Sequence, residues 1–184
     1  MSGAHGHGHG EHGGHKGVAL LISVLALILA FAETLGKGAQ TGALAYNIEA
    51  SNLWAFFQAK TIRQTVLRTA AEEIDASGAS EAQKKQAAKW KETAQRYQSE
   101  PETGEGREQL AARAKQAEKK RDQSMAAYHH YEVASAAVQI AIVLASASII
   151  AEIAALAWGA ALLGVVGLVF CVIGFFLPTA VHLF

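Results

Sequence analysis

Apolar positions gather in three long stretches, residues 18–32, 134–158 and 160–183, and fall at short helical spacings between them. A helix needs about 20 apolar residues to cross a hydrocarbon core. The second and third stretches reach that length. The first has 15 uncharged residues and reaches it only by extending from Gly17 to Leu35, which takes in Glu33. The pattern predicts an all-α integral membrane protein. Its transmembrane helices cover 17–35, 134–158 and 160–184, a His/Gly-rich tail covers 1–16, and a polar helical segment covers 36–133.

Within that segment the glycines Gly36, Gly38 and Gly42 read as the breakers that end the first span. Residues 44–57 are too polar to span and too aromatic for a solvated loop, so they predict an interfacial helix. Trp54, Phe56 and Phe57 then form a belt at headgroup depth together with Tyr128 and Tyr131. From Gln58 to Ala76 the residues Ile62, Val66, Thr69 or Ala70, and Glu73 or Ile74 mark one helical face at i, i+4, i+7 and i+11. Ser77, Gly78, Ala79 and Ser80 interrupt it, and Ser80 with Gln83 predicts a capping box opening a helix to about Gln98. Pro101, Gly104 and Gly106 predict a turn. A long helix opens at Arg107 and has no breaker before Gly159. Leu110, Ala114, Ala117, Arg121, Met125 (or Ser124), Tyr128 and Tyr131 keep 3-4 spacing along it, which predicts a coiled-coil-like helical hairpin.

Charge orients this scheme. The chain carries 16 Lys/Arg and 16 Asp/Glu for a net charge of zero. Fifteen of the 16 basic residues lie between Lys37 and Arg121, and after Ala134 the one charged side chain is Glu152. Such a balance argues against nucleic acid as a partner. Basic residues stay on the cytoplasmic side, which places the middle segment and C-terminus inside and the N-terminus outside. Ala30-Phe31-Ala32 imitates a cleavage site, but the preceding tract lacks a basic n-region, so the first span reads as an uncleaved anchor. Cys171 is the single cysteine and lies in the third span, so no intrachain disulfide is available.

The run Asn52-Leu53-Trp54-Ala55-Phe56-Phe57-Gln58-Ala59-Lys60-Thr61-Ile62-Arg63 resembles the signature of a bacterial family of small membrane proteins catalogued as a domain of unknown function. Its Trp-x-x-x-Gln-Ala-Lys core is the most specific part. The resemblance covers most of the chain after Gly17. It implies one N-terminal span, a polar helical middle and a C-terminal two-span hairpin, and it carries no activity.

Four features could carry chemistry. His5, His7, His9, His12 and His15 alternate with glycine, a composition that can hold Zn, Ni or Cu but fixes no geometry; the plainer reading is a solvating tail. Glu152 falls about 15 residues into the second predicted span, where a carboxylate must face protein or water. It shares 3-4-7 spacing with Ala141, Ala145, Ser148 and Ala155, a stripe of small residues that lets helices approach. Either it handles ions or protons, or it is protonated or paired with Lys16 and seals a helix interface. Gly167 and Gly174, extended back to Ala160, give the third span a second small-residue seam, and Pro178 kinks or ends that span. His129 and His130 point about 100° apart and do not share a metal. No catalytic set is visible.

The expected function is a non-enzymatic assembly or accessory protein of a bacterial inner membrane. Its partners are the lipid bilayer and either further copies of itself or a larger complex. The alternative is an oligomeric channel or metal-ion-handling transporter using Glu152 and the N-terminal histidines.

Overall fold

A computed structural model describes residues 11–181, with side chains from Lys16 onward. It is all-α, with four helices among the described residues: α1 Glu11–Ala76, α2 Glu81–Gln98, α3 Arg107–Ala151 and α4 Ala154–Phe176. Three of them, α1, α3 and α4, contain stretches long and apolar enough to cross a membrane. The most apolar stretch of each is only 11%, 28% and 28% buried within the chain, so most of that surface faces outward. The chain divides into two compact units: one formed by the chain up to Gly42 and from Gln123 onward, the other by Ala43–Asp122.

In the first unit Leu25, Val138, Ala141, Ala145 and Ala160 form the core, ringed by Val18, Ile22, Leu29 and Leu163 among others. Small residues set how closely the helices approach. A Cβ on Gly167 would stand 3.1 Å from the Ala134 carbonyl, and one on Gly174 would stand 3.0 Å from the His130 Cβ. The expected seam on the last helix is therefore present, with Gly164 packed under Leu25 as a further member.

The second unit packs the remainder of α1 against α2 and the start of α3. Leu53, Leu110 and Ala114 form its centre, with Trp54 and Phe57 against them. The Ser80 capping box forms as expected: the Ser80 Oγ accepts from the Gln83 amide, and the Gln83 Oε1 accepts from the Ser80 amide at 2.9 Å. The turn before α3 depends on Gly106, where any Cβ would strike the backbone of Ser99 and Glu100.

Three expectations are corrected. First, α1 does not break at Gly36, Gly38 and Gly42, and residues 44–57 form no separate interfacial helix. A mid-helix glycine costs about 1 kcal/mol relative to alanine, but a Cβ on Gly36 would stand 3.3 Å from the Tyr131 Cβ, and one on Gly42 would stand 3.6 Å from the Ser124 Oγ. Packing of α1 on α3 offsets the propensity there. Second, the buried face of α1 is not the one marked by Ile62 and Val66, which are 64% and 61% exposed. Lys60, Gln64, Leu67 and Ala71 face inward instead. They belong to a row repeating every seven residues from Val18 to Ile74, in which every member is buried or half-buried.

Third, the break between the last two helices comes at Glu152 and Ile153 rather than at Gly159. Glu152 takes a left-handed backbone (φ +56°). The physical reason is the carboxylate, which is costly inside hydrocarbon. A turn there leaves residues 134–151 as an 18-residue apolar stretch, about 27 Å of helix, and gives α4 23 residues. Pro178 lies just beyond α4, as expected of a residue that ends it.

Candidate functional site

The densest polar constellation lies in the second unit, on the residues that carried the sequence signature. Lys60 is only 5% exposed although it is a lysine. Seven-residue spacing turns it inward from α1, where its Nζ meets the Glu100 carboxylate at 3.5 Å and the Glu105 carboxylate at 3.6 Å. It also sits over the rings of Phe56 and Tyr97, at 5.2 and 5.5 Å from their centroids. A buried ammonium is tolerated only when paired in this way.

One turn further on, the Gln64 amide donates to the Ala94 carbonyl at 3.0 Å and to the Gln98 Oε1 at 3.3 Å. The Arg107 guanidinium donates to both glutamine oxygens and stacks over Phe57 at 4.8 Å, while its Nε is buried without a partner. Trp54 donates from Nε1 to Glu118 at 2.9 Å and meets Phe57 edge-on. Together these contacts tie α1, the α2–α3 turn and the start of α3 in one register. Composition offered no signal for this cluster, because Lys60 and Gln64 resemble any solvated face until their partners some 40 residues away are known.

Trp54 and Phe57 are half-buried in the second unit, and Phe56 is 37% exposed. Because α1 continues unbroken, Trp54 lies 22 residues past Ala32, about 33 Å along the helix. Tyr128 and Tyr131 belong to the first unit, where Tyr131 is buried. There they line a groove of about 460 Å³ with Glu33, Lys37, Glu132 and Gln139. Gln139 donates to Glu33 at 3.4 Å. The groove mixes both signs of charge where the apolar stretches end.

His130, next to Tyr131 of the expected belt, is almost fully buried between α3 and α4. Its Nε2 donates to the Pro178 carbonyl at 3.1 Å, its ring stacks on Phe170 and its Nδ1 has no partner. His129 pairs with Glu132 at 3.6 Å. Of the proposed stripe, Ala141, Ala145 and Ser148 are buried together on α3. Glu152 lies in the turn and Ala155 on α4, both exposed, so the single stripe through all five residues does not form.

His5, His7, His9 and the extreme C-terminus lie outside the described residues, as do the side chains of His12 and His15. Among the described residues no three His, Cys, Asp or Glu side chains are gathered to hold a metal.

These contacts give the signature a physical meaning, and comparison supplies its family. The chain belongs to DUF4337, a domain of unknown function. The family model matches residues 15–177, which takes in all four helices apart from the first residues of α1. The N-terminal histidines up to His12 fall outside the match. No curated protein and no solved structure matches the chain. The DUF4337 segment thus contains both the buried Lys60 cluster and the apolar stretches of α1, α3 and α4.

Proposed function

We propose that this DUF4337 chain is a non-enzymatic assembly or accessory protein of the bacterial inner membrane. It is held by three spans and either self-associates or docks on a larger complex. The supporting observation is the second unit. Its buried polar groups are engaged with one another around Lys60, while Leu44, Ile48, Ile62 and Val66 on the same helix stand 53% to 64% exposed. A polar helical unit that turns large apolar side chains outward gains stability by covering them. In this reading the second unit is the cytoplasmic, coiled-coil-like hairpin, and the bilayer covers the outward faces of the spans.

Purification from native membranes in mild detergent tests it. Either an oligomer or a stoichiometric co-purifying complex is expected, and a clean monomer with no companion would refute the reading. Reporters inserted at Gly104 and fused after Phe184 are expected on the cytoplasmic side, and one ahead of Met1 outside. The transport alternative would use Glu152 and the N-terminal histidines, and Glu152 stands in the turn between α3 and α4.

A further inference from the structure

Alternate faces of α1 carry two rows with the same period. The inner row holds Leu53, Phe57, Lys60 and Gln64. On the far side Ile48, Asn52, Ala55, Ala59, Ile62 and Val66 recur at spacings of four, three, four, three and four, and all six are exposed. Ile48, Ile62 and Val66 are 53%, 64% and 61% exposed. Such spacing keeps a seam facing a partner helix over many turns. The row runs for about 27 Å of helix.

We infer that this outer row of α1 is where a second copy of the chain docks, its α1 running parallel to the first. The inference rests on the reading of the chain as a membrane-held assembly protein, because two copies anchored in one bilayer emerge from it in the same direction.

Two observations identify the occupant as a second copy. The row contains one polar core position, Asn52. In a parallel pair it faces the Asn52 of the other copy, so each amide can donate to and accept from its twin. A single asparagine at such a position specifies register at some cost in stability. The flanking charges also agree. In parallel register Arg63 is opposite Gln58 of the other copy and Glu49 is opposite Leu44, so no like charges meet. An antiparallel arrangement with Asn52 level with Ile62 would bring Glu49 near Arg63 but leave the Asn52 amide desolvated without a partner.

The test uses the full chain in native membranes, with Cys171→Ala as background. Ile48→Cys and Ile62→Cys are each treated with a short bis-maleimide, with the exposed Arg68→Cys, which lies off the row, as control. Crosslinked dimer is expected as the main product at Ile48 and Ile62 and is not expected at Arg68. Crosslinking only when Asn52→Cys and Ile62→Cys chains are mixed would overturn the parallel arrangement.

The double variant Ile48→Glu/Ile62→Glu is expected to shift the purified protein from dimer to monomer with helix content unchanged, since both side chains are already exposed within one chain. A dimer that survives this variant and crosslinks nowhere on the row overturns the inference while leaving self-association through another surface. A wild-type monomer without a companion refutes the underlying function as well.

Discussion

Replacing Lys60 separates what its charge contributes from what its stem contributes. The ammonium stands 3.5 Å from Glu100 and 3.6 Å from Glu105, whose side chains are 22% and 53% exposed. At an effective dielectric of 20 the nearer pair is worth about 5 kcal/mol of Coulomb attraction. Desolvating the ammonium offsets most of that. Glu105 is too exposed to add more than about 1 kcal/mol. Glu100 also keeps a second cation, Arg96 at 3.6 Å.

Lys60→Met keeps the stem and removes both the attraction and the desolvation, so its expected cost is about 1–2 kcal/mol. Lys60→Ala additionally removes packed methylenes at about 0.8 kcal/mol each, for a total of about 3–4 kcal/mol. Amide hydrogen exchange in α2 and in the turn 99–106 reads this directly, because those segments are keyed to α1 through Lys60. Protection should fall roughly 5- to 30-fold for methionine and roughly 140- to 700-fold for alanine, a tenfold change per 1.4 kcal/mol. If both variants leave protection within twofold of wild type, Lys60 does not hold the turn and the account of the buried cluster is wrong.

Three further perturbations probe separate parts of the fold. Gly167→Ala puts a Cβ at 3.1 Å from the Ala134 carbonyl; the overpacking should cost about 1–3 kcal/mol and lower the melting temperature in detergent. An unchanged melting temperature would contradict the close approach of α3 and α4. Glu152→Gly relieves a left-handed backbone that costs an L-residue about 1–2 kcal/mol and should raise that temperature, whereas Glu152→Ala should not. Equal effects from both would remove backbone conformation as the cause. Ser80→Ala breaks the capping box, with an expected loss of about 1 kcal/mol confined to exchange at the first amides of α2. Loss of protection throughout the unit would mean that the cap is not acting locally.

Local chemistry was legible where it acts locally. The capping box at Ser80, the breaks at Ser77 and Pro101, and the start of α3 at Arg107 depend on residues within a turn of each other, and each is where its sequence indicates. What was not legible depends on distant partners. Gly36 reads as a breaker until Tyr131, 95 positions later, is seen to need the space. Ile62 and Val66 read as an inner face because apolar residues usually are; only the partners Glu100, Glu105, Gln98 and Arg107 explain why Lys60 and Gln64 are inside instead. A usable signal for the last turn did exist. Dividing the apolar C-terminal stretch from Ala134 at its single charge leaves 18 and 23 helical residues, close to a bilayer's requirement, with no glycine or proline needed at the break.

The signature segment then stands as the place where α1 is specified on both sides. Polar residues at core positions lower stability relative to apolar ones, yet they penalise every wrong register by leaving amides and charges unpaired. On the inner face Lys60 and Gln64 find partners only when α2 and the start of α3 stand at one height along α1. On the outer face Asn52 meets its equal only when a second α1 runs parallel and level. A helix of 66 residues with a seven-residue repeat could otherwise slide by whole heptads at little cost, because alanine and leucine positions recur along it. Placing the three polar exceptions within 13 residues of one another, from Asn52 to Gln64, fixes the inner alignment and, in the proposed pair, the outer one from a single stretch of chain. That accounts physically for why the most specific run in the sequence lies outside the apolar stretches, on the part of α1 that packs against helices of its own unit.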